Sequence, residues 1–232
     1  LKQQVTQAIV LSRTDFGEAD RIVTLITPNF GKLSLIARGV RKIKSKLAGG
    51  IELFSVSDIT FIYGKGELGT LISARLNQHY GNIVKDIKRV QLGYDLIREL
   101  NKATEDNPEP EYFELMRQTF AALDDSTVSL SLVDTWYKGQ MIRLAGHSPS
   151  LFNDEDGQKL DQTKLYKFDL DAMALLIHQQ GSLGGDQIKL LRLIFGDYSI
   201  TAINRVANLE RLMPSVDKTV DSIFNTYIKN YR

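Results

Sequence analysis

The chain has 232 residues, 43% of them hydrophobic and 25% charged, with a formal net charge of +1 and no cysteine. That length holds one large domain or two ordinary ones. The lack of cysteine excludes a disulfide framework and thiolate chemistry and fits a cytoplasmic protein. No run of about 18 apolar residues occurs, so no transmembrane helix is expected, and no secretory leader is expected either.

The small net charge hides an asymmetry. Residues 1–80 hold 11 Lys and Arg against 6 Asp and Glu, a balance of +5, whereas the remainder holds 18 against 22, a balance of −4. This predicts two domains, with the surface that faces a polyanion on the first.

The first eighty residues read as strands. Val5–Ser12 is an apolar run, and Arg21–Thr27 alternates before the turn Pro28-Asn29-Phe30-Gly31. Lys32–Arg38 alternates cleanly, Ile51–Tyr63 is long and interrupted at Ser55-Val56-Ser57-Asp58, and Leu68–Leu76 alternates again. Five strands in about 75 residues, with no helical pattern before Gln78, predict a small closed barrel. The OB-fold is the five-stranded barrel that most often carries single-stranded nucleic acid.

Between the third and fourth strands lies Arg38-Gly39-Val40-Arg41-Lys42-Ile43-Lys44-Ser45-Lys46, in which five of nine residues are basic and none is acidic. Such a segment can present charge to a phosphate backbone. Its like charges repel, which predicts mobility without a polyanion. An isolated basic window is as often a solvated loop. Phe61 and Tyr63 are candidates for base stacking, each equally readable as core.

Two other patterns here carry less. Gly64-Lys65-Gly66-Glu67-Leu68-Gly69 matches G-x-G-x-x-G, but a strand pattern follows where a dinucleotide site needs a helix N-terminus. It reads as a hairpin turn. Asp15, Glu18 and Asp20 could ligate a hard cation, but a polar hairpin loop around Gly17 is the plainer reading.

From Gln78 the period becomes helical. Ile83, Ile87, Val90, Tyr94 and Ile97 mark one apolar stripe, and Asn107-Pro108-Glu109-Pro110 breaks the chain before a second helix carrying Phe113, Met116 and Phe120. Leu130, Val133, Tyr137, Met141 and Leu144 mark a third. Asp186–Phe195 and a terminal helix with Val216, Val220, Phe224 and Tyr227 follow. No repeat period joins them. The fold class expected is α+β: an OB barrel over 1–78, then an irregular α-helical domain over 79–232.

Chemistry is sparse in this half. His79, His147 and His178 are not at metal-ligand spacing. Trp136-Tyr137 reads as core. Asn153-Asp154-Glu155-Asp156-Gly157 resembles half a calcium loop but lacks its first ligand and closing glutamate. No nucleophile motif is present, so no enzyme is expected.

Several segments resemble one family. Asp20–Thr27, then Gly31-Lys32, then Ala37–Lys46 are similar to the start of the RecO family of bacterial recombination mediators. The glycine hairpin from Gly64 to Leu71 resembles the same family's fourth-to-fifth strand connection. Leu144-Ala145-Gly146-His147-Ser148-Pro149-Ser150-Leu151 resembles its segment before a zinc knuckle. The resemblance implies an OB-fold followed by a helical domain. It implies binding of single- and double-stranded DNA, annealing of complementary strands, and work with RecR and the acidic C-terminal tail of single-strand-binding protein to load RecA. A bacterial, cytoplasmic, nucleoid-associated protein is implied, with no membrane partner. Arg38, Arg41, Lys42, Lys44 and Lys46 take the family's basic-loop positions. An apolar groove beside a cation would suit the partner tail, with Trp136, Lys138 and Arg143 as candidates.

One departure stands out. Where many members carry four zinc cysteines, this chain has Asn153, Asp156, Ile177 and Gln180. None supplies a thiolate, so no zinc and no other cofactor is expected, and the segment after Phe168 is expected to be an ordinary helix. Two other functions compete: an RNA-directed OB module, since phosphate contacts are blind to sequence, and a protein–protein adaptor with no direct role on DNA.

Overall fold

The computed structural model describes residues 2–63, 68–104 and 109–229. It forms two compact units, Leu1–Ser126 and Thr127–Arg232.

In the first unit, β1 (Gln4–Phe16), β2 (Asp20–Thr27), β3 (Gly31–Ala37), β4 (Ser55–Ile62) and β5 (Gly69–His79) close a barrel in the order β1-β2-β3-β5-β4. Neighbours are antiparallel except at the closing seam. There β3 and β5 run parallel through the pairs Leu35–Gly69 and Ile36–Thr70. This is the OB arrangement, with the five expected strands in the expected places. Strand alternation sends Ala8, Val10, Val23, Leu25, Leu35, Ile59, Phe61 and Leu71 into the barrel. The fourth strand starts later than its apolar run, at Ser55, because residues just before it turn through Phe54, whose φ is +55°.

Part of the outer barrel face is also buried. Ile9, Leu11 and Ile26 point away from the barrel core yet are at most 5% exposed. Helices α1 (Ile87–Ala103) and α2 (Glu111–Asp124) pack against β1, and α2 also packs against β2. The first unit therefore runs well past the end of the barrel at His79, the point at which the sequence pattern changes.

The buried side of α1 is not the stripe that periodicity suggests. It is Arg89, Gly93, Leu96, Ile97 and Leu100, while Ile87 and Tyr94 are 77% and 49% exposed. Two contacts set this rotation. Arg89 Nη1 donates to the carbonyls of Leu123 (2.8 Å) and Asp125 (3.1 Å), and Nη2 to that of Ser126 (3.3 Å). A cation thus satisfies carbonyls at the C-terminus of α2 that have no intrahelical partner. Lys32 does the same for α1, donating to the carbonyls of Asn101 (2.7 Å) and Thr104 (2.9 Å).

The second contact is a notch at Gly93. A Cβ there would lie 2.5 Å from Phe54 Cε1. Phe54 is 3% exposed and meets Tyr94 and Phe120 edge-on at 5.4 and 5.5 Å, so its ring has little room to withdraw. Gly93→Ala is expected to destabilise the protein by about 1–3 kcal/mol through overpacking, despite alanine's better helix propensity of about 1 kcal/mol. Urea denaturation checks this, and a midpoint that rises would show the notch to be slack.

The second unit centres on α3 (Leu130–Leu144), with β6 (Tyr166–Asp169), β7 (Ala174–Ile177), α4 (Gly185–Phe195), α5 (Ile200–Ile203) and α6 (Leu209–Phe224). A π-helical turn, Asn225–Lys229, follows α6. Helix α3 packs against α4, α5 and α6 and buries Leu132, Val133, Trp136, Tyr137 and Met141. The helix expected after Phe168 is absent. Residues 166–177 form a two-stranded hairpin instead. Asp169 Oδ1 accepts from the Ala172 amide (2.8 Å), and Met173 turns at φ +50°. The side-chain bond spans three residues and, with the left-handed Met173, closes the turn that joins β6 to β7. Tyr166 and Leu175 anchor the hairpin at 1% and 0% exposure.

Candidate nucleic-acid interface

The basic stretch leaves β3 and crosses one end of the barrel. Arg38, Arg41, Lys42, Lys44 and Lys46 are all exposed. Val40, between them, is 4% exposed and belongs to the barrel core, and Leu47 packs against that core. The apolar residues thus anchor a chain whose charges all face water. The short 3₁₀ turn Ala48–Gly50 ends the stretch against β5. Gly50 is needed there, since a Cβ would stand 2.4 Å from the Ala74 carbonyl oxygen.

Hydrogen bonds shape the loop into consecutive turns. The Lys42 amide donates to Gly39 O (3.1 Å), Ser45 to Lys42 O (2.9 Å), and Gly50 to Leu47 O (3.1 Å). The β1–β2 hairpin supports it from one side. Asp20 Oδ1 accepts from the Gly39 amide (2.7 Å), and the Arg41 amide donates to Ala19 O (2.9 Å). Asp15 receives Arg21 Nε at 2.8 Å and faces Arg41 Nε at 3.6 Å. The Arg21 hydrogen bond, with the charge of Arg41, holds the Asp15 carboxyl below its usual range. The hairpin acids are therefore loop supports. Arg41 is partly spent on them, whereas Arg38, Lys42, Lys44 and Lys46 project without an ion pair among the described residues. Arg13 and Arg21, which no basic run marks, add charge beside the loop, with Arg13 paired to Glu52 at 3.0 Å.

Phe61 is fully buried, packed edge-on against Phe30 and Tyr63 at 5.3 and 5.6 Å, so it offers no face to a base. Tyr63 is 42% exposed. Residues 64–67 of the glycine motif lie outside the described residues. The chain resumes as strand β5 at Gly69, with no helix N-terminus for a pyrophosphate.

In the second unit, Trp136 is 3% exposed and its indole N–H donates to Tyr198 O (3.1 Å). Lys138 Nζ lies 2.6 Å from both Asp134 and Asp221. Arg143 Nε donates to Gln140 Oε1 (2.9 Å). The three are not gathered into an open groove. Asp134, Asp217 and Asp221 form, among the described residues, the group of three carboxylates close enough to share an ion. The Lys138 ammonium already sits on two of them.

A different surface combines apolar and cationic character. A cavity of about 220 Å³ is lined by Phe152, Lys159, Leu160, Ile188, Lys189 and Arg192, with Asp161 also lining it. The Arg192 guanidinium lies 4.6 Å above the Phe152 ring. The four positions at which zinc cysteines would fall supply an amide, a carboxylate, an alkyl chain and a second amide, which do not make a zinc donor set. Backbone pairing holds this region: Asn153 bridges Lys159 and Asp154 bridges Leu175.

Fold and surface together define a class, an OB-type barrel with an exposed cationic loop, followed by a mainly helical unit. Residues 1–80 match the family model described as Recombination protein O N terminal. The chain is 28% identical to the DNA repair protein RecO of Listeria monocytogenes serotype 4a, covering 95% of this chain and 88% of that protein. It is 31% identical to that of Dehalococcoides mccartyi, over 63% of this chain and 57% of the relative. With that of Rhodopirellula baltica it shares 32%, over 62% and 53%. Over most of its length the chain is therefore similar to members of the RecO family.

Proposed function

We propose that this protein binds single- and double-stranded DNA through the loop over residues 38–46, and anneals complementary strands without covalent chemistry. In the cell it would act in DNA repair and recombination, with RecR, to load RecA onto DNA coated with single-strand-binding protein. The observation that carries the reading is the loop itself: five exposed cations on turns anchored by Val40 and Leu47. Each phosphate contact releases condensed counterions, so the free energy of binding comes largely from salt. With their charge neutralised, two complementary strands can approach closely enough to pair. No zinc is required for this role.

The direct test mixes complementary oligonucleotides, one carrying a donor and the other an acceptor dye. Pairing should be faster with the protein than without it. Matched RNA competes in a parallel arm, and RNA that displaces DNA at equal concentration would move the reading to an RNA-directed module.

For the partner tail, the cavity beside Arg192 suits an acidic peptide with a hydrophobic end better than the buried Trp136 does. A labelled peptide with the tail sequence is expected to bind about ten-fold more weakly to a Lys159→Glu, Lys189→Glu variant, about 1.4 kcal/mol by anisotropy, since two cations become like charges. Arg143→Ala should leave that affinity unchanged. The opposite pattern would return the site to α3.

A further inference from the structure

The most exposed large apolar side chain of the described residues is Ile43, at 104%. It stands in the middle of the basic loop, between the exposed Lys42 and Lys44. Single exposed apolar residues are common on protein surfaces, but this one is placed by a built structure. The Ser45 amide donates to Lys42 O at 2.9 Å, which makes Ile43 and Lys44 the two corners of a turn. Behind that turn, Lys42 bonds to Gly39, Arg41 to Ala19 and Asp15, and Val40 is sunk in the barrel core. The isoleucine is thus carried outward on a braced support.

We propose that Ile43 is a wedge that enters between neighbouring bases while the flanking cations hold the phosphates. The inference rests on the DNA-binding reading of the same loop. Phosphate oxygens cannot bury a branched alkyl chain, but the faces of two parted bases can. Apolar wedges beside basic residues unstack base steps in this way. A β-branched side chain is stiff at χ1 and spends little rotamer entropy on insertion. The effect would serve annealing, since a strand with parted bases exposes its pairing edges. It also gives the loop a preference for steps that part easily, pyrimidine–purine steps above all. A lipid surface could also take a cationic loop with an apolar tip, but one aliphatic chain gives only a marginal anchor.

The experiment places 2-aminopurine, whose fluorescence rises when it unstacks, in an oligonucleotide. Wild type, Ile43→Ser and Ile43→Phe are compared, and circular dichroism verifies each fold. The wild type should raise the fluorescence, and Ile43→Phe should raise it at least as much. Ile43→Ser should lose most of the rise and bind about five- to ten-fold more weakly. Its salt slope should be unchanged, because no phosphate contact is lost. An Ile43→Ser protein that raises the fluorescence as the wild type does overturns the wedge and leaves the DNA reading standing. If the wild type shows no salt-dependent binding, both fall together. If anionic phosphatidylserine vesicles bind the wild type and not Ile43→Ser, while the fluorescence is equal, the residue serves a membrane and the wedge falls.

Discussion

Changing Arg38, Lys42, Lys44 and Lys46 together to alanine should reduce the log–log salt slope for single-stranded DNA by up to about 2.8 units, at roughly 0.7 per lost contact. If affinities converge near 1 M salt, that slope change weakens binding about a hundred-fold at 0.2 M. Arg41 is left in place because its guanidinium ties the loop to Asp15 and Gly17. Its removal would confuse a lost contact with a displaced turn. The four chosen side chains are exposed, so the fold should survive, and Val40 and Leu47 still anchor the backbone. Fluorescence anisotropy across a salt series reads both numbers. Unchanged affinity and slope would make the loop mere solvated surface, and the adaptor function would then lead.

The second large effect lies in the helical unit. Lys138 is shared by Asp134 and Asp221 at 2.6 Å, and Asp217, hydrogen-bonded to Thr135, completes the carboxylate group. The two sides of this cluster respond differently. Burial disfavours the Lys138 charge, but the hydrogen bonds that it donates to Asp134 and Asp221 outweigh it and raise its pKa. Burial, helped by the charges of Asp221 and Asp217, pushes the Asp134 carboxyl up despite the Lys138 hydrogen bond. One ammonium faces three carboxylates, so the lysine gains from the cluster while the buried Asp134 does not. Lys138→Met should therefore cost about 3 kcal/mol at neutral pH, the lower end for a broken buried pair, because Asp221 is 40% exposed.

The sign of the pH dependence separates this from a packing defect. In the wild type the raised Lys138 pKa gives stability that is full below the ordinary lysine range and lost only as alkaline pH passes the folded value. In Lys138→Met the carboxylates repel without relief, and Asp134, already raised, rises further. A carboxyl with a raised folded pKa favours folding while protonated and loses that contribution as pH rises through the folded value. The gap between variant and wild type should narrow from pH 7.5 towards pH 4.5 in urea denaturation. An equal gap at both would assign the loss to packing.

Sequence patterning located the barrel because its strands alternate and each inward residue has the barrel core to fill. It marked the exposed run of Arg38, Arg41, Lys42, Lys44 and Lys46 because charge density is local. It missed what depends on distant partners. Nothing near Arg89 says that this cation ends up under the carbonyls at the end of α2, or that Gly93 forms a notch for Phe54. Those two contacts turn α1 away from the stripe of Ile87 and Tyr94. The hairpin at 166–177 escapes the pattern because its four-residue strands are shorter than a reliable alternation, and the left-handed turn falls on Met173, a residue type that does not announce one. Trp136 and Lys138 read as groove residues because their chemistry suits one. The Trp136 indole is taken by the Tyr198 carbonyl, 62 residues on, and Lys138 by Asp221 on α6, 83 residues on.

The closing seam of the barrel has a kinetic consequence. Leu35–Gly69 and Ile36–Thr70 are its register pairs, and the chain between them includes the whole basic loop and the fourth strand. The hairpins β1–β2 and β2–β3 close over short connections, so their ordering costs little chain entropy. The seam closes a long loop for few bonds, and such contacts form late and open first. Its gain comes afterwards, when Leu35 and Leu71 share one core. In the folded ensemble the barrel is therefore a clasped ring, whose clasp lies beside the strand that leads into the cationic loop.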